Sequence, residues 1–119
     1  LKVAAAVGDF TVVTDQPEKS GGDNSAPSPT EYFLASIATC SAYFALKFCR
    51  TRDIDYSNMR LKMGYEWDRD QKRYPTLTIE LVLPKDFPDK YRAAIIKAMD
   101  QCVVKQHLHN PPEFDIILS

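Results

Sequence analysis

The sequence is poor in cysteine, in net charge and in long apolar runs, and each shortage excludes a class of protein. Three cysteines among 119 residues are too few, and odd in number, for the disulfide framework of a small secreted domain. Fifteen basic and sixteen acidic residues, in no block of either sign, argue against nucleic acid or an anionic membrane as a partner. The longest uncharged run, Tyr32 to Leu46, is too short and too polar to span a bilayer.

These totals favour a single domain over residues 1–119, in a reducing cytoplasm. Its hydrophobic fraction of 45% and charged fraction of 26% are ordinary for a globular protein that buries one core. Because the chain begins at Leu1 rather than at a methionine, we expect further N-terminal residues to precede it.

The order of local patterns predicts an α+β domain in which helices pack on antiparallel sheet. Gly8 and Asp9 lie between two short β-branched runs, as in a tight hairpin. Apolar residues alternate along a second pair of runs, which predicts a hairpin with one apolar face. The predicted elements are, in chain order, strands 2–7 and 10–14, a loop at 16–28, a helix from 29 to about 52, strands 59–67 and 77–83, a helix from 88 to before 110, and a last strand from Phe114 to Leu118.

The first helix has a sharp start and an unusual composition. Ser28, Pro29 and Glu31 form a capping box with proline at the first helical position. Between Tyr32 and Leu46 apolar residues occupy every face, and a helix that is apolar all round is buried all round. In so small a domain, we expect a sheet to cover one side and a second subunit to cover another.

The cysteines are the best candidates for chemistry. Cys40 lies in the apolar part of the first helix, and Cys102 lies on the apolar stripe of the predicted second helix. The 61 residues between them exclude a CxxC motif or a zinc knuckle. Two such thiols either pack as small apolar side chains or form a dithiol that cycles through a disulfide. Cys49 lies nine positions after Cys40, so we expect it to point the opposite way and to have a structural role.

An apolar wall surrounds Cys40 on its own helix face. Phe33, Ile37, Tyr43 and Phe44 lie three to seven positions away, and they form the candidate substrate pocket. Such surroundings suit an organic substrate, but they raise the pKa of a thiol unless a cation compensates. The nearest cation on that face, Lys47, is about 10 Å along the axis, so we expect the cation to come from elsewhere in the fold or from a partner chain.

The sequence gives weaker indications of function for three other groups of residues. Glu31 is explained by capping, and it lies about 13 Å along the axis from Cys40 on the opposite face. His107 and His109 lack a companion ligand at metal spacing, so we expect surface histidines and no metal site. The pair Gly21-Gly22 lacks the flanking pattern of a phosphate loop, and we expect no bound cofactor.

Several stretches of the chain together resemble the OsmC/Ohr superfamily of thiol-dependent hydroperoxide reductases, including its many OsmC-like proteins described as redox proteins. The stretches run in the order of that family across nearly the whole chain. They are Gly21-Gly22, the run from Ala26-Pro-Ser-Pro-Thr-Glu to Ala38-Thr-Cys40, Leu83-Pro-Lys-Asp-Phe-Pro88, Asp100-Gln-Cys-Val-Val-Lys105 and Pro111-Pro-Glu-Phe114.

The resemblance implies a fold and a set of roles. The fold is an antiparallel sheet packed on a long buried central helix plus a second helix, in an intertwined homodimer with both active sites at the subunit interface. Cys40 becomes the peroxidatic thiol and Cys102 the resolving thiol. Glu31 is the candidate for a glutamate that holds the thiolate together with an arginine, yet no arginine precedes Arg50. That arginine lies in missing N-terminal residues, or another cation replaces it, or the chain is not a full peroxidase.

The sequence is therefore compatible with two functions. The first is a cytoplasmic peroxidase of the oxidative stress response, which reduces organic hydroperoxides through a Cys40 sulfenic acid and is regenerated by an external dithiol. The second is a non-catalytic binding protein whose apolar pocket at the dimer interface holds a small ligand, with incidental thiols. A thiol count with and without hydroperoxide distinguishes the two.

Overall fold

The computed structural model describes all residues from 1 to 119, and the chain divides into two compact units, Leu1–Ser36 and Ile37–Ser119. The helix α1 begins in the first unit and ends in the second. The elements are β1 (Val3–Val7), β2 (Phe10–Thr14), α1 (Pro29–Thr51), β3 (Arg60–Tyr65), β4 (Leu77–Val82), α2 (Arg92–Met99) and α3 (Val103–His109), with short 3₁₀ helices at Glu18–Ser20 and Asp89–Tyr91. The predicted α+β class is confirmed.

The first unit contains the predicted N-terminal hairpin. β1 and β2 pair antiparallel with Val7 opposite Phe10, so that two residues form the turn. Gly8 has φ of +59°, a left-handed conformation that glycine adopts without a steric penalty. The hairpin prediction is confirmed. It could be made from the sequence because the turn depends on a local conformational preference of glycine.

The loop after β2 is organised by one buried carboxylate. Asp15 accepts hydrogen bonds from the backbone N–H groups of Gln16, Asp23 and Ser25 and from the Ser25 hydroxyl. Those donors, with the Ser25 hydroxyl contributing most, hold the pKa of Asp15 well below its ordinary value. Gly22 passes so close to Gln16 that an added Cβ would clash with its carbonyl oxygen. The Gly21-Gly22 pair therefore has a structural role in this loop.

The capping box at the start of α1 is present as predicted. The Glu31 backbone N–H donates to Ser28 Oγ at 3.2 Å, and the Ser28 backbone N–H donates to Glu31 Oε2 at 3.0 Å. The helix extends to Thr51, one residue short of the predicted end. Asp53 follows with φ of +54°, a conformation that does not continue a helix.

The second unit packs one apolar core between the C-terminal half of α1, α2 and one face of the second hairpin. β3 and β4 pair antiparallel, with Arg60 opposite Val82 and Tyr65 opposite Leu77. The alternating residues Ile79 and Leu81 pack against the core, as the period-two pattern predicts. The buried core residues are Ala45, Phe48, Cys49, Phe87, Ile95 and Met99.

In the single chain, α1 is not buried on every face, and the expected covering of its other side by a second subunit stays a prediction. Tyr43 is 54% exposed and Leu46 is 37% exposed, although Ala45 and Phe48 between and beyond them are buried. The sheet of the second unit has two strands, which cover one side of the helix. An exposed apolar face therefore remains on the helix in the isolated chain.

Two further expectations are corrected. The predicted second helix is two helices, since α2 ends at Met99 and α3 begins at Val103, which places Cys102 between helices rather than inside one. The predicted last strand, Phe114 to Leu118, does not form a strand in this chain, and its large apolar side chains are exposed. A strand needs a neighbouring edge to satisfy its backbone groups, and alternation of apolar residues alone does not supply one.

α1 is also long and apolar enough to pass a length-and-composition test for a membrane span. The core helix of a soluble protein passes the same test. Ile37, Ala45, Phe48 and Cys49 of this helix are buried within the second unit. One such helix with a buried side does not indicate a membrane protein.

Candidate active site

The break between α2 and α3 places the sulfur of Cys102 at a helix start. Cys102 has φ of −54° and ψ of 116°, which is not helical, and its carbonyl oxygen accepts from the Gln106 N–H at 3.1 Å. Its sulfur accepts a hydrogen bond from the Lys105 backbone N–H at 3.5 Å. Cys102 therefore occupies the N-cap position, where serine or aspartate is the common choice.

The same helix start surrounds Cys40 with groups that favour its thiolate. Burial raises the pKa of the Cys40 thiol, but the backbone N–H of Val104, the thiol of Cys102, the backbone N–H of Val103 and the charge of Lys105 all lower it. The lowering contributions outweigh the burial, so the pKa of Cys40 lies below the ordinary value of a cysteine. Hydrogen-bond donors and a cation from α3 therefore stabilise the Cys40 thiolate, which apolar surroundings alone would disfavour.

Lys105 is the cation whose charge acts on Cys40. Its side chain is partly buried, and its Nζ lies 3.2 Å from Asp100 Oδ1. The ion pair fixes the ammonium group beside the break between the helices. The expectation that a cation comes from elsewhere in the fold is met within a single chain by Lys105.

The Cys102 thiol is near enough to Cys40 to lower its pKa, and both thiols are free in this structure. A thiolate of lowered pKa is the more reactive form of cysteine, both as a nucleophile and toward oxidants. A neighbouring thiol allows an oxidised Cys40 to condense to a disulfide.

Cys49 lies in different surroundings from the other two thiols. It is fully buried in the core, and its thiol lies 3.6 Å from the sulfur of Met59. Burial raises the pKa of Cys49, and the charge of Arg52 only partly opposes it. Its surroundings therefore favour the neutral thiol and a packing role.

Glu31 and the candidate pocket residues lie in varied settings. The Glu31 carboxylate is engaged by the Ser28 N–H in the capping box. Ile37 is buried, whereas Phe33 and Tyr43 are exposed. The Tyr43 and Phe44 rings pack edge to face with centroids 5.0 Å apart. The single chain thus does not gather these side chains into one enclosed pocket.

Two polar residues near the thiols were not singled out from the sequence. Lys105 lies in a stretch with no helix-start signal, since cysteine is not a usual N-cap residue. Ser41 follows Cys40 directly, and it is fully buried without a hydrogen-bond partner for its hydroxyl. A serine next to a cysteine in a long apolar run was a signal available from the sequence.

The histidines take no part in a metal site in this structure. A ring nitrogen of His107 lies 2.8 Å from the Val103 carbonyl oxygen, one turn back on α3. No cluster of three or more histidine, cysteine or acidic side chains is placed to hold an ion.

The fold of this chain is similar to those of proteins of known structure. The chain is similar over 88% of its length, and 85% of the other chain, to a Psychrobacter arcticus protein called an osmotic stress induced and detoxification response protein, with 20% identity and a TM-score of 0.70. It is also similar over 91% of its length, and 88% of the other chain, to a Legionella pneumophila protein called organic hydroperoxide resistance protein OsmC and a redox protein, with 17% identity and a TM-score of 0.51. No curated protein sequence matches the chain.

These structural likenesses establish a shared fold. The family description "OsmC-like protein" matches residues 22–117, which is most of the chain and includes all three cysteines. The chain therefore belongs to the OsmC-like protein family.

Proposed function

We propose that the protein is a thiol peroxidase that reduces organic hydroperoxides. The Cys40 thiolate attacks the outer peroxide oxygen, the O–O bond breaks, and the leaving alkoxide takes a proton to become an alcohol. Cys40 is then a sulfenic acid. The Cys102 thiol attacks its sulfur, water leaves, and a Cys40–Cys102 disulfide remains. An external dithiol reduces that disulfide and returns both thiols.

The observation that carries the proposal is that the start of α3 brings a second thiol, Cys102, beside Cys40. Cys40 is the half-buried cysteine of the three, and the Cys102 thiol is one of the groups that lower its pKa. A structural cysteine needs neither a lowered pKa nor a neighbouring thiol. The fold that the chain shares with a protein named for organic hydroperoxide resistance supports the substrate class.

The proposal includes a homodimer. The proposed contacts for the organic part of the substrate, once a second copy encloses them, are Phe33, Ile37, Tyr43 and Phe44. Glu31 caps α1 of its own chain, so any contact with a reacting thiolate would come from the Glu31 of a second copy. We place the protein in the cytoplasm, where dithiol reductants are available and a lasting disulfide is not expected.

A thiol count tests the function directly. The reduced protein is treated with one equivalent of tert-butyl hydroperoxide per chain, and free thiols are counted under denaturing conditions. Loss of two of the three thiols, together with one equivalent of tert-butanol, is the expected result. Retention of all three thiols with unreacted peroxide would contradict the proposal. The same treatment with hydrogen peroxide shows whether the organic group matters.

The alternative remains a non-catalytic binding protein with incidental thiols. Its specific support is the apolar surface that the single chain leaves exposed, which would enclose a small ligand between two copies. The alternative predicts that all three thiols survive stoichiometric peroxide, so the same count decides between the two functions.

A further inference from the structure

Ser41 presents an unusual hydroxyl group. Its side chain is fully buried in α1, and its Oγ has no hydrogen-bond partner. A helical serine or threonine commonly donates to a carbonyl in the preceding turn. Thr51 on the same helix does so, donating to the Lys47 carbonyl at 2.8 Å. Buried hydroxyl groups are nearly always satisfied, so a hydroxyl without a partner within the chain points to a partner from outside it.

Ser41 lines a cavity that can hold such a partner. The cavity has a volume of about 400 Å³ and lies between α1, β4 and α2 in the second unit. That volume is in the range of sites for small organic molecules. Its apolar walls include Ile79, Leu83, Ile95 and Met99, and Lys105 stands at its edge.

The charges around the cavity favour a neutral ligand. Two cations, Arg92 and Lys105, and two acids, Glu80 and Asp100, line it. Lys105 is paired with Asp100, and Arg92 is paired with Asp89 at 2.9 Å. The cations are thus already neutralised, and an anionic ligand would have to displace an existing partner. Glu80 is exposed to solvent, and the buried side-chain group of the lining without a hydrogen-bond partner is the Ser41 hydroxyl.

We propose that this cavity binds a small neutral organic molecule with an apolar body and one hydroxyl group, anchored by Ser41. The apolar body lies against the side chains of β4 and α2, and its oxygen exchanges a hydrogen bond with Ser41 Oγ. Because Lys105 both lines the cavity and acts on Cys40, a ligand here lies beside the thiols. An alcohol is the product class of the proposed peroxidase reaction, and in that respect alone the inference rests on the proposed function.

Two matched probes test the site without any thiol chemistry. Benzyl alcohol and toluene differ by one hydroxyl group, and both are titrated into the reduced full-length protein while methyl signals of Ile95 and Met99 are followed by NMR. We expect both to shift those signals, with benzyl alcohol binding more tightly. In Ser41→Ala, the affinity for benzyl alcohol should fall about three- to tenfold, the usual value of one hydrogen bond, while that for toluene stays unchanged.

A second pair of variants tests the location. Ile96 lines the cavity yet is 61% exposed, so Ile96→Trp can occupy the cavity with little risk to folding. It should abolish the shifts from both probes, whereas Ala93→Trp, at an exposed position on the same helix that does not line the cavity, should leave them intact. Equal affinities for the two probes in the unaltered protein, shifts confined to other residues, or no binding would each overturn the proposal. Because no peroxide is used, these outcomes are independent of whether the protein is a peroxidase.

Discussion

The backbone N–H of Lys105 donates to the sulfur of Cys102 at 3.5 Å, while the charged end of the same residue acts on Cys40. One residue of α3 therefore contributes to the surroundings of both thiols, by its main chain for one and by its ammonium group for the other. This relationship exists because the chain breaks between α2 and α3 and starts a new helix at Cys102. It assigns the attacking role in the proposed reaction to Cys40, whose pKa is lowered by these surroundings.

The three cysteines should respond differently to replacement by serine. Cys40→Ser should consume no peroxide, because the attacking sulfur is absent. Cys102→Ser should consume about one equivalent per chain and then proceed to irreversible sulfinic acid, since no thiol resolves the sulfenic acid. Cys49→Ser should behave as the unaltered protein.

Intact-mass spectrometry after peroxide treatment measures all three results. A mass loss of two hydrogen atoms should appear in the unaltered protein and in Cys49→Ser, and in neither of the other variants. A disulfide mass that persists in Cys102→Ser would assign the resolving role to Cys49 and contradict the geometry.

Removal of the Lys105 charge should move the reactivity of Cys40 to higher pH. The cation stabilises the thiolate, so Lys105→Met raises the pKa of Cys40, and less thiolate is present at neutral pH. The rate of alkylation by iodoacetamide, measured against pH in a Cys49→Ser background, should show a midpoint shifted upward. Lys97→Met, on the exposed face of α2, is the matched control and should leave the midpoint unchanged. An unshifted midpoint in Lys105→Met would remove Lys105 from the site.

Replacement of Glu31 should affect stability more than turnover. Glu31→Gln keeps the hydrogen-bonding shape of the capping box but loses the favourable charge at the helix start, so the free energy of unfolding should fall by about 0.3–1 kcal/mol. Urea denaturation measures this change, and peroxide kinetics should be unaltered within a factor of two. A drop in kcat/KM of tenfold or more would instead assign Glu31 to the active site of a second copy.

The protein should form a dimer at micromolar concentration. Tyr43 and Leu46 leave an apolar face on α1, and the large apolar residues between Phe114 and Leu118 are 77–98% exposed. Contiguous exposed apolar surface on a folded chain marks an association site. Light scattering should give twice the mass of the chain, and Tyr43→Glu should shift the equilibrium toward monomer. Tyr65→Glu, at an exposed position at the end of β3, is the control. A folded monomer in the unaltered protein would refute the dimer.

Asp15 should make the stability of the first unit depend on acid pH. Its folded pKa is depressed, so its contribution is fully present above the pKa of an unfolded aspartate, about 3.9, and is lost as pH falls below it. The melting temperature of the unaltered protein should therefore fall between pH 5 and pH 3 more steeply than that of Asp15→Asn. Parallel curves for the two proteins would show that the carboxylate of Asp15 does not support the loop.

The sequence by itself determined the features that depend on neighbours in the chain. Ser28, Pro29 and Glu31 specify the start of α1 because capping acts within one helical turn. Gly8 specifies the hairpin turn because few other residues adopt its conformation without strain. The family resemblance through Cys40 and Cys102 also needed only the order of the residues.

Only the tertiary structure decided the surroundings of the thiols. The apolar stripe through Cys102 is compatible with a continuous helix. The break between α2 and α3 places hydrogen-bond donors of α3 near Cys40, which lies 62 positions before Cys102. The alternation from Phe114 to Leu118 is likewise compatible with a strand, yet no edge of this chain is placed to pair with it. Lys105 and the unpartnered hydroxyl of Ser41 acquire their significance in the same way. Periodicity reports which face of a segment is apolar, whereas hydrogen bonds and charges between distant segments depend on how those faces meet.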